Sequence, residues 1–219
     1  MKKFPVSFSR LSTFEQCPQK FDYLYVTKNI MDVGNEITAY GTRVHEALEK
    51  YARDGVEPSL EAVKWKPLVD RILARPGDKY FEHQMALSPD KTPCDWFAPD
   101  VWLRGIADVL IVNGEKAWVG DWKTGKVKDN PTQLQLFAAL TFVHFPEVQQ
   151  VKTSFIWLAH DDVTESTYRR TVLPHIWTAL DPRFDAVQDA VDIGVFAAKP
   201  SGLCGWCPAK DICPDRGKR

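Results

Sequence analysis

The pattern of apolar and polar residues changes period along the chain, from helical spacing to strand-like alternation. Residues 36–53 place apolar side chains at helical spacing, which predicts an amphipathic helix. An Asn-Pro pair predicts the start of a second helix over residues 130–145. A third helix is predicted over residues 174–192, interrupted near Pro182. Strands are predicted at residues 80–87, 102–112, 116–123, 151–160 and 166–173.

This order of elements predicts an α/β or α+β fold with a central mixed β-sheet flanked by helices. Residues 151–160 are almost wholly apolar, as in a strand that is covered on both faces. Residues 166–173 are polar and fit an edge strand.

Asn113 and Gly114 separate two apolar runs, which is typical of a two-residue β-hairpin turn. With this turn, strand alternation places Asp108, Asp121 and Lys123 on one face. The two aspartates become diagonal neighbours, roughly 7–8 Å apart at Cα, close enough to share a divalent metal ion. An ordinary solvated face with one ion pair is the alternative. The predicted pairs are Val112 with Glu115, Leu110 with Ala117, Asp108 with Val119, Ile106 with Asp121 and Arg104 with Lys123.

The composition is typical of a globular protein: of the 219 residues, 44% are hydrophobic and 26% are charged. No apolar run reaches the ~20 residues that cross a membrane, and no apolar segment of a signal peptide follows the first lysines. We expect an intracellular, cytoplasmic protein, with a phage origin left open. The net charge of −1 gives no general support for a nucleic-acid partner. Local basic residues could contact phosphates: Lys123, Lys126, Lys128, Arg216, Lys218 and Arg219. For all of them except Lys123, a plain solvated surface position is the alternative.

The chain has five cysteines, an odd number that argues against a disulfide framework in an intracellular protein. Cys204, Cys207 and Cys213 lie in a tail rich in glycine and proline, and their spacing predicts a bound metal or an iron–sulfur cluster. A fourth ligand could be Cys17, Cys94 or a histidine. The spacing does not distinguish zinc from iron–sulfur.

Several polar residues follow one another in a specific order: a helical histidine, a strand aspartate, an Asp-Trp-Lys tripeptide and a Gln-x-x-x-Phe motif. These are His45, Asp108, Asp121, Trp122, Lys123, Gln133 and Phe137. The segments that carry them, GTRVHEALE, LRGIADVLI, GDWKTG and QLQLFAAL, resemble the RecB-type branch of the PD-(D/E)XK nuclease superfamily. The terminal segments LSTFEQCPQKFDYLY and KPSGLCGWCP resemble its iron–sulfur members, which include AddB-type nuclease domains, CRISPR-adaptation nucleases and phage exonucleases.

The resemblance implies a restriction-endonuclease-like core with a site for Mg²⁺ or Mn²⁺. The implied metal ligands are His45, Asp108, Asp121 and the backbone carbonyl of Trp122. Lys123 would position or deprotonate the attacking water, and Gln133 would orient the substrate or a metal-bound water. Glu82 on the preceding strand is a weaker catalytic candidate, and a plain surface role is equally expected for it.

The sequence departs from the family pattern at two of these positions. Asp121 stands where many members have glutamate, although aspartate is permitted. Phe137 stands where this branch has tyrosine, so one polar contact is lost but no metal ligand.

The resemblance also implies a [4Fe–4S] cluster that is held by Cys17, Cys204, Cys207 and Cys213, with Cys94 left free. The cluster would join N-terminal helices at residues 8–53 to the tail at residues 197–219, which gives an iron–sulfur-tethered helical cap. All 219 residues would then form one nuclease domain.

We therefore expect a metal-dependent DNA exonuclease that hydrolyses phosphodiester bonds at DNA ends or in single strands. Its partners would be DNA and a recombination or helicase protein, with no membrane. Two alternatives stay open. One is a non-catalytic DNA-binding or scaffold subunit that keeps the nuclease fold, and the other is a zinc-stabilised hydrolase of another substrate.

Overall fold

A computed structural model describes residues 3–128 and 130–216 of the chain. They form two compact units: residues 3–33 with 178–216 make up the first, and Gly34–Trp177 make up the second. No helix within the described residues is both long and apolar enough to cross a membrane. The single domain over residues 1–219, joined at its ends by a cluster, stays a prediction.

The first unit consists mainly of short helices. They are preceded by the two-residue strand β1 (Val6–Ser7). Helix α1 (Phe8–Gln16), helix α2 (Pro18–Phe21) and a π-helical turn (Asp22–Val26) follow it directly. The C-terminal part of the unit contains residues from 178 onward of helix α6 (Leu173–Ile193) and a 3₁₀ turn (Gly202–Trp206).

Helix α6 is continuous through Pro182, so the predicted interruption at this residue is wrong. A proline inside a helix removes one backbone hydrogen bond and costs about 3 kcal/mol or more. Leu180, Phe184 and Val187 lie at helical spacing around it and are almost fully buried. Burial of this stripe stabilises the helix across the proline, which local propensity alone does not predict.

The second unit is built on a mixed sheet, as predicted, and the order of its strands is β2-β3-β4-β5-β6. Neighbouring strands are antiparallel except for β4 and β5, which run parallel. The strands are β2 (Asp78–Leu87), β3 (Leu103–Asn113), β4 (Lys116–Lys123), β5 (Gln150–Trp157) and β6 (Asp162–Arg169). The helices are α3 (Glu36–Asp54), α4 (Lys66–Leu73) and α5 (Pro131–His144), with 3₁₀ turns at Val63–Trp65 and Arg170–Val172.

Strand β6 begins and ends earlier than predicted, at Asp162 and Arg169 instead of residues 166 and 173. The reason is a short connection after β5. Trp157 pairs with Asp162, and Asp161 makes the turn with a φ of 49°. The apolar pattern did not mark this turn.

Helices cover both faces of the sheet, which decides where the residues of β4 point. Trp122 packs in a core with Val44 and Leu48 of α3. Leu134 of α5, on the other face, packs against Phe155 and Trp157 of β5. Because successive strand residues face opposite sides, the residues on either side of Trp122 point towards α5. Asp121 and Lys123 are therefore placed together.

The β3–β4 hairpin exists, but its predicted register is wrong. Asn113 pairs with Lys116, so Gly114 and Glu115 are the central turn residues. Gly114 has a φ of 57°, and a glycine first in the turn fits type II′. The Glu115 carbonyl accepts backbone hydrogen bonds from Gln149 and Gln150 at 2.7 and 3.0 Å, which holds this register from outside the hairpin.

The shift moves the pairing by two residues and therefore keeps every side chain on its predicted face. The last ladder pair is Val109 with Gly120. Asp108 and Asp121 come next on their strands and are opposite each other, instead of diagonal. The prediction that they share a site is thus strengthened by the corrected register.

Candidate active site

Asp108 is a buried carboxylate that joins β3 to β4. Its side chain is 11% exposed. The Trp122 backbone N–H donates to Asp108 Oδ2 at 2.6 Å, just beyond the last ladder pair. The Asp108 carboxylate thus accepts the hydrogen bond that a backbone carbonyl of β3 would accept in a regular ladder. This bond holds the carboxylate in place where the two strands separate.

Asp121 is the most deeply buried acid of the site. Gln133 Nε2 of α5 donates to Asp121 Oδ1 at 3.1 Å. Lys123 Nζ lies 2.5 Å from Asp121 Oδ2 as an ion pair. Among the described residues, Lys123 is the partner of this oxygen. The ammonium therefore occupies the position that a metal cation would take beside a buried carboxylate.

Lys123 also has an aromatic neighbour that the sequence analysis missed. Its Nζ lies 4.9 Å from the centre of the Phe155 ring, a cation–π contact. Phe155 pairs with Asp121 across the parallel strands. The sequence does not reveal this contact, because the pairing of β4 with β5 decides which residue lies beside the Phe155 ring.

His45 reaches this site from α3. The helix starts with a capping box at Asn35 and Thr38 and ends at Gly55, whose φ is 70°. Its stripe of buried residues fixes its rotation, so that His45 Nδ1 lies 3.4 Å from Asp108 Oδ2. Burial alone would lower the pKa of His45, but the hydrogen bond and charge of Asp108 raise it above its usual value.

Glu82 on β2 is a further acid of the site. Its backbone has a φ of 46°, although it lies inside a strand. Burial, followed by the charges of Asp108 and Glu49, raises the pKa of Glu82 to about 7. Glu82 was the weaker catalytic candidate. Its side chain contacts Asp108 and is partly buried, unlike that of an ordinary surface residue.

The pKa of Asp121 is also raised, to about 7, by burial and then by the charge of Asp108. Lys123 acts in the opposite direction but does not cancel these effects. Two buried carboxylates side by side repel each other when both are ionised. A cation between them would remove that repulsion.

We expect Asp121→Asn to stabilise the metal-free protein more at alkaline than at acidic pH. A carboxyl whose pKa rises on folding stabilises the fold fully below its unfolded pKa, near ~3.9, and this stability is lost as pH rises towards the folded value. Asparagine has no such loss. The unfolding temperature in EDTA should exceed that of the wild type by about 2–8 °C near about pH 8 and by less near about pH 5. An equal difference at both pH values would contradict the assignment.

The remaining predicted residues lie at differing distances from this chemistry. Phe137 follows Gln133 by one turn of α5 and is buried, and its ring offers no hydrogen-bonding group. Lys126 and Lys128 are exposed on the loop that precedes α5. Lys218 and Arg219 lie outside the described residues.

The site fits a divalent cation by its donors. Two carboxylates and an imidazole converge, and one buried oxygen is paired only with an ammonium, which occupies the position of a cation. Within residues 3–128 and 130–216, no three His, Cys, Asp or Glu side chains are already arranged around one ion position. Lys123 would have to move from Asp121 Oδ2 as an ion entered.

Four of the cysteines lie together in the first unit. A cavity of about 230 Å³ is lined by Cys17, Cys204, Cys207 and Cys213, together with Tyr23 and Lys199. The Lys199 N–H donates to Cys17 Sγ at 3.4 Å, and the Ser201 N–H donates to Cys204 Sγ at 3.2 Å. Cys94 lies in the second unit.

Comparison with known proteins supports this fold. SSO0001, a solved structure, aligns with a TM-score of 0.50 and 15% identity over 99% of this chain and 88% of that protein. A candidate exonuclease from Eubacterium rectale aligns with a TM-score of 0.54 and 11% identity over 94% of this chain and 88% of its own. No curated protein sequence matches the chain. The family model described as the PD-(D/E)XK nuclease superfamily matches residues 5–214. With the corresponding fold and a cluster of acids and a lysine at the paired strand ends, the chain belongs to the PD-(D/E)XK nuclease superfamily.

Proposed function

We propose that the protein is a divalent-metal-dependent deoxyribonuclease, acting as an exonuclease on DNA ends or single strands. One observation supports this most: Asp108, Asp121 and Lys123 meet at adjoining strand ends, with His45 and Gln133 in contact. A protein that only binds DNA does not require paired buried carboxylates next to an ammonium group.

His45, Asp108, Asp121 and the backbone carbonyl of Trp122 would hold Mg²⁺ or Mn²⁺. When bound, the ion supplies Lewis-acid stabilisation of the charge that develops on the scissile phosphate. The imidazole favours Mn²⁺ over Mg²⁺, because Mg²⁺ prefers oxygen ligands.

The residues of the chain have separate tasks in this proposal. Lys123, released from Asp121, orients the attacking water and offsets negative charge on the phosphate. Gln133 holds Asp121 in place through its amide, and the Trp122 N–H holds Asp108. These contacts exist before substrate arrives, so the acids need little reorganisation.

We also propose that Cys17, Cys204, Cys207 and Cys213 hold a [4Fe–4S] cluster with a structural role. All four line one cavity, and two of their sulfurs accept backbone N–H hydrogen bonds, which are among the interactions that tune such clusters.

Incubation with end-labelled single- and double-stranded DNA tests the activity. We expect degradation with Mn²⁺ to mononucleotides or short products, and none with EDTA, because the carboxylates cannot organise the reaction without the ion. Products of discrete intermediate length from circular DNA would indicate an endonuclease. Binding of DNA without cleavage under any divalent metal would support the scaffold alternative and overturn the proposal.

A further inference from the structure

Glu82 has a backbone conformation that a glutamate rarely adopts. Its φ of 46° lies in the left-handed region, where the Cβ atom of an L-residue is crowded. It is also in the middle of a strand, between the ladder pairs Phe81–Val109 and His83–Ala107. Glycine or asparagine would take this conformation with less strain.

The conformation reverses the alternation of side chains along β2. Tyr80 and His83 are three residues apart and would face opposite sides of a regular strand. Both rings instead contact the Phe145 ring, with centres 5.6 and 5.9 Å away. The reversal occurs at Glu82, the one residue of the strand with a left-handed backbone.

The re-aimed side chain meets Asp108. Glu82 stands opposite Asp108 in the β2–β3 register, where the ladder skips one pair. The two carboxyl groups are in hydrogen-bond contact, and His45 and Glu49 are near enough to act on Glu82 electrostatically. A strained backbone is thus used to place a third acid beside two others.

We propose that Glu82 is a further carboxylate of the divalent-ion site, binding the ion together with Asp108. The inference rests on the proposed metal-dependent function. The same site already holds a cation in the position of a metal ion: Asp121 Oδ2 is buried, and its partner among the described residues is the Lys123 ammonium.

A purely structural role predicts a different residue at this position. If the left-handed conformation served only the strand, glycine would adopt it with less strain. If the Glu82–Asp108 contact served only stability, the amide of glutamine would preserve it. A carboxylate, unlike that amide, also supplies a negative charge to a bound cation.

Binding of Mn²⁺ to the full chain, measured by electron paramagnetic resonance and calorimetry, tests the inference without DNA. We expect Glu82→Gln to weaken Mn²⁺ binding by about tenfold or more. Glu82→Gly should weaken it as strongly, while its unfolding temperature in EDTA is no lower than that of the wild type. This second variant removes the strain, so a loss of binding cannot be assigned to unfolding.

Glu49→Gln is the matched control. Glu49 lies one turn after His45 and carries the same charge near the site, but it is ion-paired with Arg53. We expect its Mn²⁺ affinity to stay within about threefold of the wild type, because the charge it removes is already compensated.

The outcomes separate this inference from the proposed function. If Asp108→Asn loses Mn²⁺ binding while Glu82→Gln and Glu82→Gly keep wild-type affinity, the inference on Glu82 fails and the metal site stands. If the wild-type protein binds Mn²⁺ no better than Asp108→Asn, both fail. Equal weakening in Glu49→Gln would reduce the effect to general charge and overturn the role of Glu82.

Discussion

Asp121→Asn, Asp108→Asn and Lys123→Met are each expected to lower Mn²⁺-dependent DNA cleavage by at least about 1,000-fold. Asp108 and Asp121 would supply the carboxylates that hold the ion, and Lys123 the positive charge beside the phosphate. The three residues would act as one unit, so losing any one of them should remove nearly all of the rate enhancement. End-labelled DNA and product sizing measure the loss.

The stability of Asp121→Asn and that of Lys123→Met should change in opposite directions, so a shared loss of activity cannot be assigned to unfolding. Asp121→Asn removes a buried charge and should raise the unfolding temperature of the metal-free protein. Lys123→Met leaves Asp121, whose side chain is only 7% exposed, without its ion pair and should lower it. Asp162→Asn, on the exposed strand β6, is the control and should cleave as the wild type does. Undiminished cleavage by a folded Asp121→Asn or Lys123→Met protein would contradict the catalytic assignment.

Cys207→Ser is expected to remove most of the iron and the brown visible absorbance from anaerobically purified protein. It should also lower the unfolding temperature by more than about 5 °C, because cluster binding and folding of the tail are coupled. The other three cavity cysteines should behave alike, since each would be one ligand of the same cluster. Iron analysis should give about four atoms per wild-type chain.

Cys94→Ser is the matched control for the cluster. Cys94 belongs to the second unit and should keep the iron content and colour of the wild type. If the wild-type protein is colourless and contains zinc, the four cysteines hold zinc and not an iron–sulfur cluster. A protein with neither metal, or full iron in Cys207→Ser, would overturn the ligand assignment.

Local sequence rules predicted the parts of the site that depend on nearby residues. Helix α3 was predicted at residues 36–53 and is observed at Glu36–Asp54, because its caps and the burial of Val44 and Leu48 support the same helix. Ile37, predicted in the same buried stripe, is exposed. Strand alternation placed Asp108, Asp121 and Lys123 together, and this survived a wrong register because the error was an even number of residues.

The failures have a common cause, which is that distant parts of the chain decide them. The hairpin turn is set by hydrogen bonds from Gln149 and Gln150 to Glu115. The continuity of α6 across Pro182 is set by burial of its stripe. In both cases the contacts that decide the structure are made with residues outside the turn or the helix, so the local sequence does not reveal them.

The sequence by itself thus determined the mixed sheet, the helices around it and the presence of acids, lysine, histidine and cysteines in a nuclease-like order. Their periodicities and caps act over only a few residues, so they can be read locally. Only the tertiary structure decided that Glu82 adopts a left-handed conformation and turns towards Asp108. Such strain persists only when surrounding contacts outweigh it, and those contacts come from strands far apart in the chain.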